Sequence, residues 1–461
     1  MSRFLSSLNH LMDASSRVLQ VRVCSTAVAK VKHHKTFNVS RATARVLSRG
    51  HPWILPDAES DDPTDFRPGS QVRVQGPKGQ ELGWARIEGK GPIAARMWAR
   101  AGTSAGDEAE EVDARVKAAL SSRYALSEKG SARLSVDGES YTEALRLIHG
   151  EADRLPGLSL DRLGPLLRVG IWGAVGEALL SRVVDRLQVH LGVFAQSEPQ
   201  PIIEVRYQPP KAGSGRAAVR WRELPPKTWL SEHFEASGRV NVFERGLAFG
   251  VEPGLVEPAR PRPGVGLFLD QRENRARMAK RARRGGRWLN LFAHTGAFSV
   301  ALLAAGADRV VSVDLSAAYL KWLEQNLKLN RNRGVDVTRH DSIRHEGRRY
   351  LNALEGAERF SGIVVDPPTA AAAGRHYWSI RKDLEPLLGD CFKRLEPGGV
   401  LLVCRNDRFE PSALRSLVET AAARVGVALS KVEIAGPGPD FPRLKGFPEG
   451  EPFTGVVAER L

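Results

Sequence analysis

Cysteine is scarce in this chain: three in 461 residues, at positions 24, 391 and 404, with no CxxC pair. That excludes a disulfide framework and a cysteine-based structural zinc site, and no metal is expected. A reducing, cytoplasmic setting fits. No stretch approaches the roughly 18 uninterrupted apolar residues of a membrane span, so no membrane partner is expected. No GxGxxG occurs, and with it goes the pyrophosphate cradle of a nicotinamide oxidoreductase. Acidic residues are in the minority, 53 against 68 basic ones, for a net charge of +15. This excess favours polyanions, nucleic acid first, over the plainer reading of an arginine-rich solvated surface. The length predicts two or three domains.

Residues 1–35 are basic, Ser-rich and nearly free of acids. They read as a disordered extension or an early start codon, with an organelle transit peptide as another reading. From residue 36 to 103, "QVRVQ", "LGWARIE" and "AARMWAR" read as strands separated by "GPKG" and "GKGP", a small β domain. Trp53 and Trp98 in it are candidates for stacking on bases or for core packing. Residues 104–250 hold a linker helix and a central α+β unit. Residues 251–461 alternate strand and helix, which predicts a doubly wound, mostly parallel α/β sheet of Rossmann-like type. Ligands in such sheets bind outside the carboxyl ends of the strands.

In "LNLFAHTGAFSV" a strand enters a helix through Thr295 and Gly296, where glycine lets the backbone approach a cofactor. The next strand ends at Asp314, placed to take both ribose hydroxyls of an adenosine. Without a phosphate cradle, this pairing favours S-adenosylmethionine. Asp341, after the third strand, is placed for the adenine amino group. The plainer reading of both acids is as polar strand-end caps. "VVDPP" ends a fourth strand. Its two prolines lock an extended backbone at the mouth, where Asp366 and fixed carbonyls can bond a planar base. The basic stretch "RARMAKRARRGGR", residues 275–287, reads as a helix that tracks RNA phosphates or as a solvated face.

"GHPWI", "LPGLSLDRLG", "GLFLDQR", "LNLFAHTGAFSV", "VVSVDLS", "YLKWLEQNLKLN" and "VVDPPT" occur in this order. From about residue 36 the chain resembles the bacterial large-subunit 23S rRNA methyltransferases of the I and K types. The resemblance implies S-adenosylmethionine as cofactor and 23S rRNA, or its precursor, as partner. It also implies a PUA-like RNA-binding β barrel at the start, and leaves a homodimer open. Carried over by position, Phe268, Asp270, Gln271 and Arg272 would lie against the cofactor, although Asp270 also reads as a helix cap. Asn290, Phe292, Thr295 and Gly296 would form the first turn. Asp314, Leu315 and Ser316 would hold the ribose, and Asp341 with Ser342 the adenine. Asp366, which also borders the cofactor, would hold the target base with Pro367 and Pro368.

Methylation at carbon 5 of cytosine needs a nucleophile, and in the I type a cysteine supplies it seven positions after a double glycine. Counted from Gly399 that place is Asn406, and Cys404 lies two residues deeper. The K type, which methylates guanine N7, ends this strand in asparagine. The expectation is therefore an rRNA methyltransferase acting at guanine N7 without a covalent step. Cys404 would be core packing and Asn406 would orient the base. The alternatives are a 5-methylcytosine enzyme using Cys404, or a non-catalytic RNA-binding assembly factor.

Overall fold

The computed structural model describes residues 34–103, 107–128, 142–194, 200–206, 219–221, 239–252, 263–373, 376–407 and 409–461. The expectations for residues 1–33 lie outside them. Residues 36–461 form one compact unit. No helix among the described residues is long and apolar enough to cross a membrane.

The first sheet holds β1 (Thr36–Asn38), β2 (Trp53–Ile54), β3 (Gln71–Gln75), β4 (Glu81–Ile87) and β5 (Ala95–Arg100), in the order β1-β3-β4-β5-β2. It is a curled open sheet rather than a closed barrel among the described residues. Helix α1 (Arg41–Ser48) follows β1, and the Ser40 hydroxyl accepts from the Thr43 N–H at its start. Neither candidate tryptophan faces solvent as a stacking platform. Trp98 is 3% exposed, with the Arg115 guanidinium 3.6 Å from its ring centre. Trp53 donates to Glu151 and meets Phe447 edge-on. Both are used in the seams that join this sheet to the rest of the molecule.

The central sheet holds β6 (Ala144–His149), β7 (Leu158–Leu163), β8 (Leu166–Trp172), β9 (Gln200–Arg206) and β10 (Val219–Trp221), flanked by α2 (Glu108–Glu128) and α3 (Gly173–Phe194). The hairpin of β11 (Val240–Glu244) and β12 (Leu247–Val251) follows.

The third sheet is the doubly wound one. Helix α4 (Arg272–Ala282) leads into β13 (Arg287–Leu291), α5 (Ala297–Ala305), β14 (Arg309–Asp314), α6 (Ala317–Leu329) and β15 (His340–Arg344). Then come α7 (Gly347–Ala353), β16 (Phe360–Val365), the hairpin β17 (Ala370–Ala373) and β18 (His376–Ser379), and α8 (Ile380–Arg394). The chain closes with β19 (Leu395–Arg405), α9 (Pro411–Arg424), β20 (Leu429–Ala435) and β21 (Thr454–Arg460). The strand order is β15-β14-β13-β16-β19-β21-β20, parallel except for β21, which runs against both of its neighbours. The order reverses between β13 and β16, so a ligand crevice opens at their carboxyl ends.

Strand alternation sorts the sheet into two cores. Trp288, Val310, Val364, Leu402 and Cys404 face one side with α5 and α6. Leu289, Val311, Ile363, Leu401 and Val403 face the other with α8 and α9. The third strand starts later than "VDVTRHDS" suggests. The Asp336 side chain accepts from the Thr338 N–H and turns the chain before His340.

Two features lock the ligand side of this sheet. Asn326 and Asn330 on α6 treat the β12 hairpin as a strand edge. Asn330 accepts from the Ala248 N–H and donates to its carbonyl; Asn326 accepts from the Gly250 N–H and donates to the Thr295 carbonyl. Both are essentially unexposed. Asp440 ties α4 to the central sheet, accepting from the Arg272 guanidinium and from the Arg146 N–H.

Candidate functional site

The crevice starts at the turn from β13 to α5. Phe292, His294 and Gly296 have φ of 56°, 49° and 79°. Alternate residues thus take the left-handed conformation, and only one of the three is glycine. Such a conformation costs a side-chain-bearing residue about 1–3 kcal/mol and persists where the surroundings over-determine it. Here the surroundings are specific. Phe292 packs on Trp378, and the His294 ring lies between Phe268 and Tyr319, 5.2 and 4.3 Å from their centroids. Gly296 has no alternative, since a Cβ there would lie 2.2 Å from Leu323.

Asp314 ends β14 beside this turn. Its carboxylate accepts from the N–H groups of His294 and Ser316, and burial pushes its pKa up. Ser316 caps α6 through its hydroxyl, and Leu315 is exposed at the rim. A cleft opens here. Its walls include Phe268, Gln271, Asn290, Phe292, Thr295 and Asp366. Asn290 is held by a buried chain of hydrogen bonds through Ser299 and Ser312 to His340. Burial pushes the pKa of His340 down to about 4, so this chain ends in a neutral imidazole. A carboxylate beside the first turn, an aromatic rim and no phosphate cradle suit the adenosine and sulfonium of S-adenosylmethionine.

Six of the residues expected at the cofactor line this cleft, and Gly296, Asp314, Leu315 and Ser316 stand beside it, but four do not. Arg272 is 1% exposed and bound to Asp440, so it braces the seam. Asp341 pairs in register with Val311, three residues short of Asp314, and is held by Arg309. At strand rise this sets it about 10 Å back from the strand end. Ser342, next to it in the same edge strand, has its hydroxyl buried. Asp270 does not cap α4, whose N-cap position is Gln271. It faces a second cleft that shares Phe268 with the first. The basic helix is likewise no phosphate track along its inner face. Arg275 grips Glu244 and the Phe268 carbonyl, and Arg281 pairs with Glu459.

The other half of the crevice lies at the ends of β16 and β19. Val365 pairs with Val403, so Asp366 and Cys404 are lateral neighbours. Crowding raises the Asp366 carboxyl to about 7 and Asp270 to about 6; burial is the main cause, and in Asp366 the charge of Asp270 adds to it. Pro367 is buried and Pro368 exposed; the Pro368 carbonyl accepts from the Trp378 indole. Asn406, at the mouth, accepts from the Thr369 hydroxyl. Cys404 is fully buried, yet its surroundings are polar: Sγ lies 3.8 Å from both Gln271 Oε1 and Asn274 Nδ2. Burial and the charge of Asp366 push its thiol pKa well above the ordinary value. Cys391 is buried in the α8 core.

Sequence reasoning missed Asn274, Arg275 and Ser299. It gave His294 and Tyr319 no firm place at the cofactor. The available signal was the spacing of Phe292, His294 and Gly296, which repeats a glycine-rich turn with side chains in two of its three positions.

Comparison with known proteins agrees with this geometry. Residues 211–451 match the family described as S-adenosylmethionine-dependent methyltransferase, and residues 37–100 match a PUA-like domain. The ribosomal RNA large subunit methyltransferase I of Aeromonas hydrophila subsp. hydrophila is 30% identical over 424 residues, 89% of this chain and 96% of that protein. That of Aeromonas salmonicida is 29% identical over 425 residues, with the same coverage. A solved methyltransferase complexed with SAH superposes with a TM-score of 0.70 at 17% identity, covering 92% of this chain and all of that one. A SAM-dependent methyltransferase from Streptococcus mutans gives 0.67 at 16%. At such identities these two structures show the fold.

These findings overturn the expectation of a guanine N7 enzyme with no covalent step. The Aeromonas relatives and two from Salmonella, matched along 89% of the chain, are type I enzymes. One asparagine at a strand end was weak ground for the choice, because Cys404, on the same face two residues deeper, borders Asp366 and a polar wall rather than pure packing. The protein is an S-adenosylmethionine-dependent methyltransferase, and its chain belongs to the ribosomal RNA large-subunit methyltransferase I family, with a PUA-like domain ahead of the catalytic sheet.

Proposed function

We propose that this enzyme methylates carbon 5 of a cytosine in 23S rRNA, with Cys404 as nucleophile. The observation that carries the reading is the type I relationship across 89% of the chain, together with a thiol beside the Asp-Pro-Pro carboxylate. S-adenosylmethionine supplies an electrophilic methyl group. The Phe268, His294 and Tyr319 rings and the Asp314 carboxylate hold its adenosine. Asp366, Pro367 and Pro368 present rigid acceptors to the base, and Thr369 with Asn406 orients its edge.

Thiolate addition to carbon 6 of the ring makes carbon 5 nucleophilic. Loss of the carbon 5 proton later expels the sulfur. The buried thiol must first give up its proton, and Asp366, with a pKa near 7, is the basic group beside it. The base must enter about 6–7 Å deeper than the strand mouth, because Cys404 precedes Asn406 by two residues. Gln271 and Asn274, in contact with Sγ, are the groups that must let the ring pass.

The test uses methyl-labelled S-adenosylmethionine, unmodified 23S rRNA and nucleoside mass spectrometry. Labelled 5-methylcytidine in the native enzyme, lost in Cys404→Ser with cofactor binding intact, is the expected result. Full activity in Cys404→Ser, or label in another nucleoside, sinks the reading.

A further inference from the structure

The second cleft lies between the central sheet and the catalytic sheet. One wall comes from β6, β7 and β8, with Arg146, Asp161, Arg168 and Trp172. The other comes from the segment before α4, with Phe268 and Asp270. Phe268 belongs to both clefts, so the two spaces meet at its ring.

Two observations describe what fits. Trp172 and Phe268 are 41% and 39% exposed, while Trp84, Trp98, Trp288, Trp322 and Trp378 are all buried. Two large flat side chains therefore stand open on one cleft beside the active site. The charges in the wall cancel. Arg146 is paired with Asp161, and Arg168 stands with Asp270 in the same lining. His149 adds none: burial pushes its pKa to about 4, and its Nε2–H donates to the Gly450 carbonyl while Nδ1 accepts from Arg146. A balanced wall has no preference for a phosphate. Donors and acceptors at the edge with aromatic faces beside them match a nucleobase, which presents both edge groups and a π face. A base stacked in a duplex cannot reach aromatic faces within a cleft, so the base must be unpaired.

We propose that this cleft binds an unpaired nucleobase of the RNA substrate that flanks the methylated one, stacked on Trp172 and Phe268. The target base itself belongs beside Asp366 in the first cleft, and the shared Phe268 ring stands between the two clefts. The inference rests on the reading of the protein as an RNA methyltransferase. It names a substrate requirement beyond that reading: at least two adjacent nucleotides must leave their stack together.

The test is a binding cycle on the full-length protein with a single-stranded 23S rRNA fragment that spans the labelled nucleotide. Trp172→Ala should weaken binding about 5- to 100-fold, the range for loss of one base–aromatic stack. S-adenosylmethionine affinity should stay unchanged, and Trp172→Phe should restore most of the loss. A scan of single abasic sites across the fragment should find one position flanking the target where the native protein loses similar affinity and Trp172→Ala loses none further. A merely structural role for Trp172 would not couple to an abasic site. RNA binding by Trp172→Ala within twofold of native, or additive effects at every abasic position, overturns the proposal. Because the readout is binding, it stands apart from methyl transfer. Absence of label in rRNA would sink the functional reading, while loss of the coupling would sink only this inference.

Discussion

The two halves of the crevice are built on different principles. The cofactor half, at β13 and β14, is held by backbone: three left-handed residues in five, an Asp314 carboxylate capped by N–H groups, and a buried hydrogen-bond chain under Asn290. The half at β16 and β19, where we propose that the base enters, is held by crowded ionisable groups, Asp366 and Cys404 with the charge of Asp270 beyond them. Backbone conformation and hydrogen bonds shape the first half. Protonation makes the second half conditional, because a carboxyl near its own pKa changes charge within the working range.

The sharpest way to break the cofactor half is Gly296→Val. The added atoms meet Leu323, and φ is 79°, so S-adenosylmethionine binding should be abolished in calorimetry while the neighbouring domains still fold. Asp366→Asn should cut methyl transfer about 1000-fold, in the upper range for loss of general acid–base assistance, with cofactor affinity within a few-fold of native. Retained activity would remove Asp366 from the chemistry. Asn326→Ala leaves the Gly250 N–H and the Thr295 carbonyl without that partner and should cost about 2–4 kcal/mol in denaturant unfolding.

The last test concerns pH. The folded pKa values of Asp270 and Asp366, about 6 and about 7, lie above the ordinary carboxyl value of 3.8. Between those limits the folded state binds more protons than the unfolded one, so stability falls as pH rises from about 4 to 7. Thermal melts should therefore be higher at pH 5 than at pH 8 from these groups, and Asp366→Asn should flatten the difference. A steeper slope in Asp366→Asn would contradict the crowding.

The doubly wound sheet was legible because its strands are apolar runs punctuated by glycine and by acids at their ends, as in "RVVSVDLS" and "FSGIVVDPP". The strand-end positions of Asp314 and Asp366 were legible for the same reason: each follows an apolar run and closes it. Asp341 misled because the Asp336 turn delays its strand, so it sits against Val311 and not at the end. The basic helix was only half legible because charge counts carry no direction: Lys280, Arg283 and Arg284 stay exposed. Arg272, Arg275 and Arg281 turn inward to Asp440, Glu244 and Glu459, partners 31 to 178 residues away in the chain.

From the sequence alone followed the sheet type, the cofactor class and the places where the strands end. Local periodicity and strand-end residues decide these, and both are properties of neighbours in the chain. Only the tertiary structure decided the state of Cys404, the duty of the arginines and the union of the two clefts at Phe268. Burial, ion pairing and shared walls arise between residues far apart in sequence, and these set pKa values and access.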